Sequence, residues 1–158
     1  MLKKNIVILY VTFLTFFTDR LCKYIILKKF NLENIDYISV YSFLNFNLVF
    51  NKGIAFGILS FNEQFYYNVI TLIIVLITSI VFYMALKSNG IEKISFSLIF
   101  GGSLGNIFDR VYYSAVIDFI DIHINNFHWF IFNVADIFIT LGVINLIFLE
   151  IFIKKKNV

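Results

Sequence analysis

The hydrophobic positions of this chain form long uninterrupted runs, which is the pattern of membrane-spanning helices. Val69–Leu86 is the clearest run, because it has no charged residue and is close to the length that crosses a bilayer core of about 30 Å. Three further runs qualify if charged residues are allowed near one end, at about 5–26, 94–111 and 133–153. We therefore predict an all-α membrane protein with four transmembrane helices, folded as a single domain over residues 1–158.

Composition supports a membrane protein over a soluble one. The chain is 60% hydrophobic and 15% charged, whereas soluble domains average about 45–50% and about 25%. A soluble chain of 158 residues could not enclose so much apolar surface. A nucleic-acid-binding module and a disulfide scaffold are also excluded, the latter because Cys22 is the only cysteine.

The first hydrophobic run has an alternative interpretation as a cleaved signal peptide, with Lys3 and Lys4 as its basic region. No small-residue cleavage motif follows the run, and Asp19, Arg20 and Lys23 interrupt the expected site. We favour a retained first span.

The distribution of lysine predicts the orientation of the four spans. The segments Met1–Lys4, Lys87–Lys93 and Lys154–Val158 would share one side, and their 16 residues contain seven Lys. The opposite side would receive residues 24–68 and 112–132, which contain only three Lys. Short segments rich in Lys are retained in the cytoplasm, so both termini are predicted to be cytoplasmic.

The longer of the two outer segments is predicted to form a small sheet. Tyr37–Leu59 is rich in β-branched and aromatic residues, and Asn51 and Gly53 interrupt it as a turn would. We expect a small extracytoplasmic β-cradle between helices 1 and 2. The alternative is an irregular aromatic loop at the membrane interface.

Charged residues of three predicted spans reach a similar depth. Asp19, Asp109 and Asp136 each lie 15–18 residues from a predicted cytoplasmic end, or about 22–27 Å along a helix. Ionisable groups at membrane depth are costly and usually mark function. Such groups can also be interfacial anchors or form ion pairs between helices. This alternative applies to Asp19 with Arg20 and Lys23, and to Asp109 with Arg110. Asp136 has no cation within a turn on either side, which favours function.

Asp118 lies in the shorter outer segment, which must fold back towards Asp136. Two carboxylates that share a site do not both ionise cheaply, so one stays protonated. An aspartic protease uses such a pair to activate water and to polarise the scissile carbonyl. Asp121 is a rival partner on this reasoning.

Other chemistries have weaker support in the sequence. His123 and His128 could bind a metal with Asp118 or Asp121, although interfacial histidines are the ordinary interpretation. Cys22 lies within the first helix and is expected to be an inert packing residue rather than an acylation site. Glycines 101, 102 and 105 fit close helix packing.

Four blocks of sequence carry a resemblance that covers nearly the whole chain. They are Asp19–Lys23 in the first span, Asn51–Gly57 in the outer segment, Gly101–Arg110 with Val116–Phe119, and Phe132–Asp136. Because these blocks occur in this order and spacing, the chain resembles lipoprotein signal peptidase, also called signal peptidase II, of the aspartic membrane protease family A8.

The resemblance implies an aspartic endopeptidase of the bacterial inner membrane, with its active site near the extracytoplasmic face. Such enzymes remove the signal peptide of diacylglyceryl-modified prolipoproteins before the lipidated cysteine, and globomycin-type antibiotics inhibit them. The motif matches Asp118 and Asp136 to the catalytic pair, in preference to Asp121. Supporting and substrate-binding positions match Asn51, Gly53, Asn106, Asp109, Arg110, Asn133, Ala135, Asp19 and Lys23. The resemblance implies no metal, organic cofactor or nucleic acid. The expected partners are prolipoprotein substrates and membrane lipids, and the protein is expected to be a monomer.

Four positions depart from the family pattern. Ser114 replaces a common Gly, Phe130 a common Pro, Cys22 a usual Thr or Ser, and Ile54 a usual Ala. These departures put local loop geometry and substrate preference in question rather than the activity, because none removes an ionisable group that the chemistry needs.

Two functions from other classes remain as rivals. An ion-coupled transporter would place acids at several depths along a pathway, whereas these acids cluster at one interface. A non-catalytic scaffold with the same fold would be expected to lose an aspartate of the pair, and both are present.

Overall fold

The computed structural model describes residues 2–35, 37–53, 63–125 and 127–153. This part of the chain contains four α-helices and one four-stranded antiparallel sheet. The helices are α1 (Leu2–Glu33), α2 (Glu63–Lys87), α3 (Gly90–Tyr113) and α4 (Val134–Phe148), which continues into a π-helical turn, Leu149–Ile153. The strands are β1 (Ile38–Tyr41), β2 (Leu44–Asn51), β3 (Val116–Ile124) and β4 (Phe127–Phe132).

Three of the described helical stretches are long and apolar enough to cross a membrane: Asn5–Glu33, Gln64–Lys87 and Val134–Phe152. Many of their large apolar side chains are exposed, as lipid contact requires and water disfavours. The fourth predicted span lies within α3, which is less apolar because Ser and Gly residues form much of its buried surface. Helix α3 packs against α1, α2 and α4, so it occupies the centre of the helical layer.

Small residues of α3 allow the neighbouring helices to approach closely. A Cβ atom at Gly102 would lie 2.6 Å from the backbone oxygen of Ala135 in α4, and one at Gly105 would lie 2.6 Å from Oδ2 of Asp19 in α1. A larger residue at either position would force a neighbouring atom to move, so glycine is favoured there, as is common where membrane helices pack. This close approach brings the polar residues of α1, α3 and α4 together.

The sheet differs from its predicted position. The expected small antiparallel sheet is present, but only β1 and β2 come from between the first two helices, and β3 and β4 come from between α3 and α4. The strands follow one another in the order β1-β2-β3-β4. Residues 116–119 of β3 are all buried and do not alternate between apolar and polar, so the strand gives a clear signal only in its second half, at 120–124.

The turn of the first hairpin also differs from the prediction. Ser42 and Phe43 connect β1 to β2, whereas Asn51 ends β2 and Gly53 follows it in the left-handed region, with φ of +72°. The remainder of the predicted segment, at 54–59, lies outside the described residues, as does the family departure at Ile54.

The apolar core beneath the sheet explains why α1 is longer than predicted. Ile26 and Phe30 pack against Ile117 and Phe119 of β3, and Cys22 contacts the same cluster. The helix therefore continues past its predicted end near residue 26 as far as Glu33. Its last turns hold the sheet over the helices.

Candidate active site

Asp118 and Asp136 lie in one hydrogen-bonded cluster where the sheet meets the helices. Asp118 is on β3 and 4% exposed, and Asp136 is half-buried in the first turn of α4. The Asp118 carboxylate accepts hydrogen bonds from the side-chain amides of Asn133 and Asn51, at 2.6 and 2.9 Å. The Asp136 carboxylate accepts them from the Asn106 side chain and the Asn133 backbone N–H, at 2.9 and 3.1 Å. Among the described residues, neither carboxylate forms a salt bridge.

Asn133 links the two carboxylates through the N-terminal cap of α4. Its side-chain Oδ1 accepts a hydrogen bond from the Asp136 N–H at 3.1 Å, while its own N–H donates to Asp136, which completes a capping box. Because Oδ1 is committed to the helix, Nδ2 points to Asp118. Asn133 is completely buried, so a single cap orients both acids.

Asn106 joins this pair to the charged residues of α1. Its side-chain oxygen accepts hydrogen bonds from Lys23 Nζ and from Asn133 Nδ2, both at 3.2 Å, and its amide nitrogen donates to Asp136. The two acceptor contacts fix which end of the amide faces Asp136.

Beneath the pair lies a balanced ion network made of Asp19, Arg20, Lys23 and Asp109. Lys23 Nζ lies 2.6 Å from Asp109 and 3.1 Å from Asp19, and Arg20 lies 2.6 Å from each of the same carboxylates. Both aspartates are 0% exposed and Lys23 is 1% exposed. Two cations and two anions at this burial satisfy one another, which is the condition under which buried charges are tolerated.

The network also fixes the backbone immediately before each acid. Asp19 accepts a hydrogen bond from the Ala135 N–H at 3.0 Å, one residue before Asp136. Asp109 accepts one from the Ile117 N–H at 3.2 Å, one residue before Asp118. The positions of both acids therefore depend on carboxylates from α1 and α3.

Asn51, Gly53 and Arg110 lie on the side of the pair where β2 ends. The Asn51 side-chain oxygen accepts a hydrogen bond from the Gly53 N–H at 2.7 Å, and its amide donates to Asp118. A Cβ atom at Gly53 would lie 3.5 Å from Arg110 Nη2. The Arg110 guanidinium lies over the Tyr67 ring, at 5.5 Å, and its buried Nε and Nη1 have no hydrogen-bond partner within the described residues.

Asp121 lies apart from the pair. Successive side chains of a strand point to opposite faces, and Asp118 and Asp121 are three residues apart on β3. Asp121 instead contacts His128, whose Nδ1 lies 2.9 and 3.1 Å from its carboxylate oxygens.

Burial, with a smaller contribution from the charge of nearby Asp136, raises the pKa of Asp118 above its ordinary value. The hydrogen bonds from Asn51 and Asn133 and the positive charge of Lys23 act in the opposite direction. A raised pKa favours retention of a proton by a carboxyl group in this cluster.

An apolar groove reaches Asp136 from the side of the helices. It is lined by Phe130, Phe132, Asp136, Ile137, Thr140 and Leu141. Phe130 of this groove is 63% exposed on β4.

Two contributors to the site were absent from the predicted set. Arg20, which the sequence indicated only as an ion-pair partner, bridges Asp19 and Asp109. Tyr67 donates a hydrogen bond from its hydroxyl to the Arg110 carbonyl at 3.2 Å. No local pattern marks Tyr67, because it is one aromatic residue among several at the start of α2.

Comparison with known proteins gives consistent matches. Residues 11–153 match the family model described as Signal peptidase (SPase) II. The chain is similar to the lipoprotein signal peptidase of Pelagibacter ubique (strain HTCC1062), with 48% identity over 97% of this chain and 90% of that protein. Lipoprotein signal peptidase of Francisella tularensis subsp. novicida (strain U112) is 44% identical over 80% and 81% of the two chains. A bacterial membrane enzyme solved by the in meso method at 1.9 Å resolution superposes with a TM-score of 0.76 and 32% identity, covering 93% of this chain and 94% of that one.

Proposed function

The chain belongs to the signal peptidase II family of membrane proteases, which process prolipoproteins, and from this premise we propose that it is an aspartic endopeptidase with Asp118 and Asp136 as its catalytic pair. Its substrate is a diacylglyceryl-modified prolipoprotein, which it cleaves before the lipidated cysteine, within the plane of the membrane.

One observation carries this proposal. Two carboxylates from separate elements are held in one cluster by neutral amide donors, beside an ion network whose charges already balance. Acids that served only to pair helices would be expected to contact a cation, as Asp19 and Asp109 do. A pair held by amides, with a raised pKa at Asp118, suits the sharing of one proton.

The proposed reaction uses the two aspartates in opposite protonation states. The ionised aspartate accepts a proton from water, and the water oxygen forms a bond to the scissile carbonyl carbon. The other aspartate gives its proton to the carbonyl oxygen, which produces a gem-diol. When the C–N bond breaks, the leaving amine of the lipidated cysteine takes the proton first removed from water, and a diol proton returns to the second aspartate.

The neighbouring residues have two kinds of proposed role. Asn106, Asn133 and the backbone of Ala135 position the pair, together with the network of Asp19, Lys23 and Asp109. Asn51, Gly53 and Arg110 bind the substrate, since they lie beside Asp118 where β2 ends.

The apolar groove beside Asp136 suits an acyl chain or the apolar end of the signal peptide, because its lining is mostly aromatic and aliphatic. We place the pair near the extracytoplasmic face of a bacterial inner membrane that is crossed four times, with α3 as the remaining span. The excess of lysine in the segments of the opposite side supports this orientation. We expect the protein to act as a monomer.

Cleavage of a diacylglyceryl-modified prolipoprotein by the purified protein in detergent tests the proposal. We expect a gel shift that globomycin blocks and that is lost in Asp118→Asn. Glu33→Gln, which changes an exposed carboxylate at the end of α1, is the matched control and should cleave like the wild type. A folded wild-type protein that leaves the substrate intact would contradict the proposal.

A further inference from the structure

We propose that Asp121, His123 and His128 form a binding site for one divalent transition-metal ion at the end of the β3–β4 hairpin. The proposal is independent of the protease function. Each of the three residues offers one ligand atom, and these atoms all lie within 4.8 Å of one another. Asp121 is 2% exposed, His123 is half-buried and His128 is exposed, so the site is open to solvent on one side.

The strand pairing brings the two histidines together. His123 and His128 are direct partners across the β3–β4 ladder, and their rings stack with centroids 5.0 Å apart. Asp121 pairs with Ile131. From this pair to the His123–His128 pair, β3 advances by two residues and β4 by three, so the register shifts between the two pairs. Such an irregularity re-aims side chains, and here His128 reaches the Asp121 carboxylate.

The distances suit shared coordination of a metal. Two ligand atoms bonded to one zinc ion at about 2.0–2.2 Å in tetrahedral geometry lie about 3.4 Å apart. Nδ1 of His128 already lies 2.9 and 3.1 Å from the carboxylate oxygens of Asp121. His123 completes the set, since its ligand atom lies within 4.8 Å of those of Asp121 and His128.

His123 supplies an independent observation. Its Nδ1 atom is buried and has no hydrogen-bond partner among the residues that the structure describes. A buried polar atom without a partner is rare in native proteins and needs an explanation. A metal ion held with Asp121 and His128 would satisfy it.

The ligand set indicates the class of metal. Two imidazoles and one carboxylate favour Zn²⁺ and the neighbouring first-row ions over Ca²⁺ or Mg²⁺, which prefer oxygen ligands. The alternative is a hydrogen-bonded His128–Asp121 pair that needs no metal. A bound ion would cross-link β3 and β4 on the face of β3 opposite Asp118, and so would stabilise the hairpin that leads to α4.

Zinc titration of the purified protein tests the site. The protein should carry an affinity tag without histidine, be freed of metal with a chelator and be titrated near neutral pH by calorimetry. We expect one Zn²⁺ per chain, with an affinity at least about tenfold weaker in His123→Gln and in His128→Gln. Cys22→Ser is the control for a thiol ligand and should bind zinc like the wild type.

One spectroscopic and one thermal measurement distinguish a metal site from a His128–Asp121 hydrogen-bonded pair without metal. Co²⁺ should give visible absorption bands in the wild type that both histidine variants lack. Zn²⁺ should raise the Tm of the wild type but not that of His128→Gln. Because the His128 side chain is exposed, its replacement should leave the fold intact, so a lost zinc effect would reflect the lost ligand. Absence of stoichiometric zinc binding, or equal binding in the histidine variants, would overturn the proposal.

Discussion

Replacing Lys23 by methionine should strongly destabilise the protein, because it removes one of the two cations of the buried ion network. The Lys23 ammonium lies 2.6 Å from Asp109, 3.1 Å from Asp19 and 3.2 Å from the Asn106 oxygen, and it is 1% exposed. Methionine fills a similar volume, so the change acts mainly on charge. Two fully buried carboxylates would then share Arg20 alone.

The magnitude follows from the burial of the partners. Breaking a buried ion pair by removing one partner costs about 3–5 kcal/mol, which for a chain of this length lowers Tm by roughly 6–20 °C. Thermal unfolding followed by circular dichroism in a fixed detergent measures the change. Lys28→Met is the matched control, since Lys28 is exposed on the same helix and should shift Tm by little.

A second substitution tests the reason for the loss. Lys23→Met combined with Asp109→Asn restores the balance of one cation and one anion, and the amide keeps an oxygen that accepts the hydrogen bond from the Ile117 N–H. The double variant should therefore unfold at a higher temperature than Lys23→Met alone. A double variant with additive losses, or a Lys23→Met protein as stable as the Lys28→Met control, would refute the reasoning.

Three further predictions concern the backbone, the helix packing and pH. Ser114 ends α3 with φ of 54°, so Ser114→Gly should raise Tm by roughly 1–4 °C, measured by the same unfolding assay. Gly105→Ala should cost about 1–3 kcal/mol of stability, since the added Cβ would lie 2.6 Å from Asp19; an unchanged Tm would contradict the packing described. Burial, and then the Asp136 charge, raise the pKa of Asp118. The protonated form of Asp118 therefore stabilises the fold at pH values below the ordinary carboxyl pKa, and this stabilisation is lost as the pH rises through the raised pKa. Tm of the wild type should fall over that pH range relative to Asp118→Asn.

The convergence of the acids was predictable because helices have a regular rise. The residue spacing from the predicted cytoplasmic ends places Asp19, Asp109 and Asp136 at a similar depth, and the structure brings Asp19 and Asp109 together through Arg20 and Lys23. The role of Asn133 also had a signal in the sequence. It stands three residues before Asp136, which is the spacing of a capping box.

The sheet was harder to predict because its central strand is buried. The buried first half of β3, at 116–119, lacks a period of two, and the pairing of β3 with β2 joins segments more than 60 residues apart. Gly53, just after β2, lies near Arg110 of α3, and no local pattern could indicate that these two segments are neighbours. The αL backbone of Ser114 was likewise hidden, although the glycine common at this position in the family was a hint.

The most direct test of the central claim compares the cleavage rates of Asp118→Asn, Asp136→Asn and the double variant on one prolipoprotein substrate, with each protein shown to be folded by its unfolding transition. If the two aspartates act as one catalytic pair, each single variant should lose about 10²–10⁴-fold in rate, and the double variant should be no slower than the singles. Retained cleavage in Asp136→Asn, or losses that multiply in the double variant, would contradict the account.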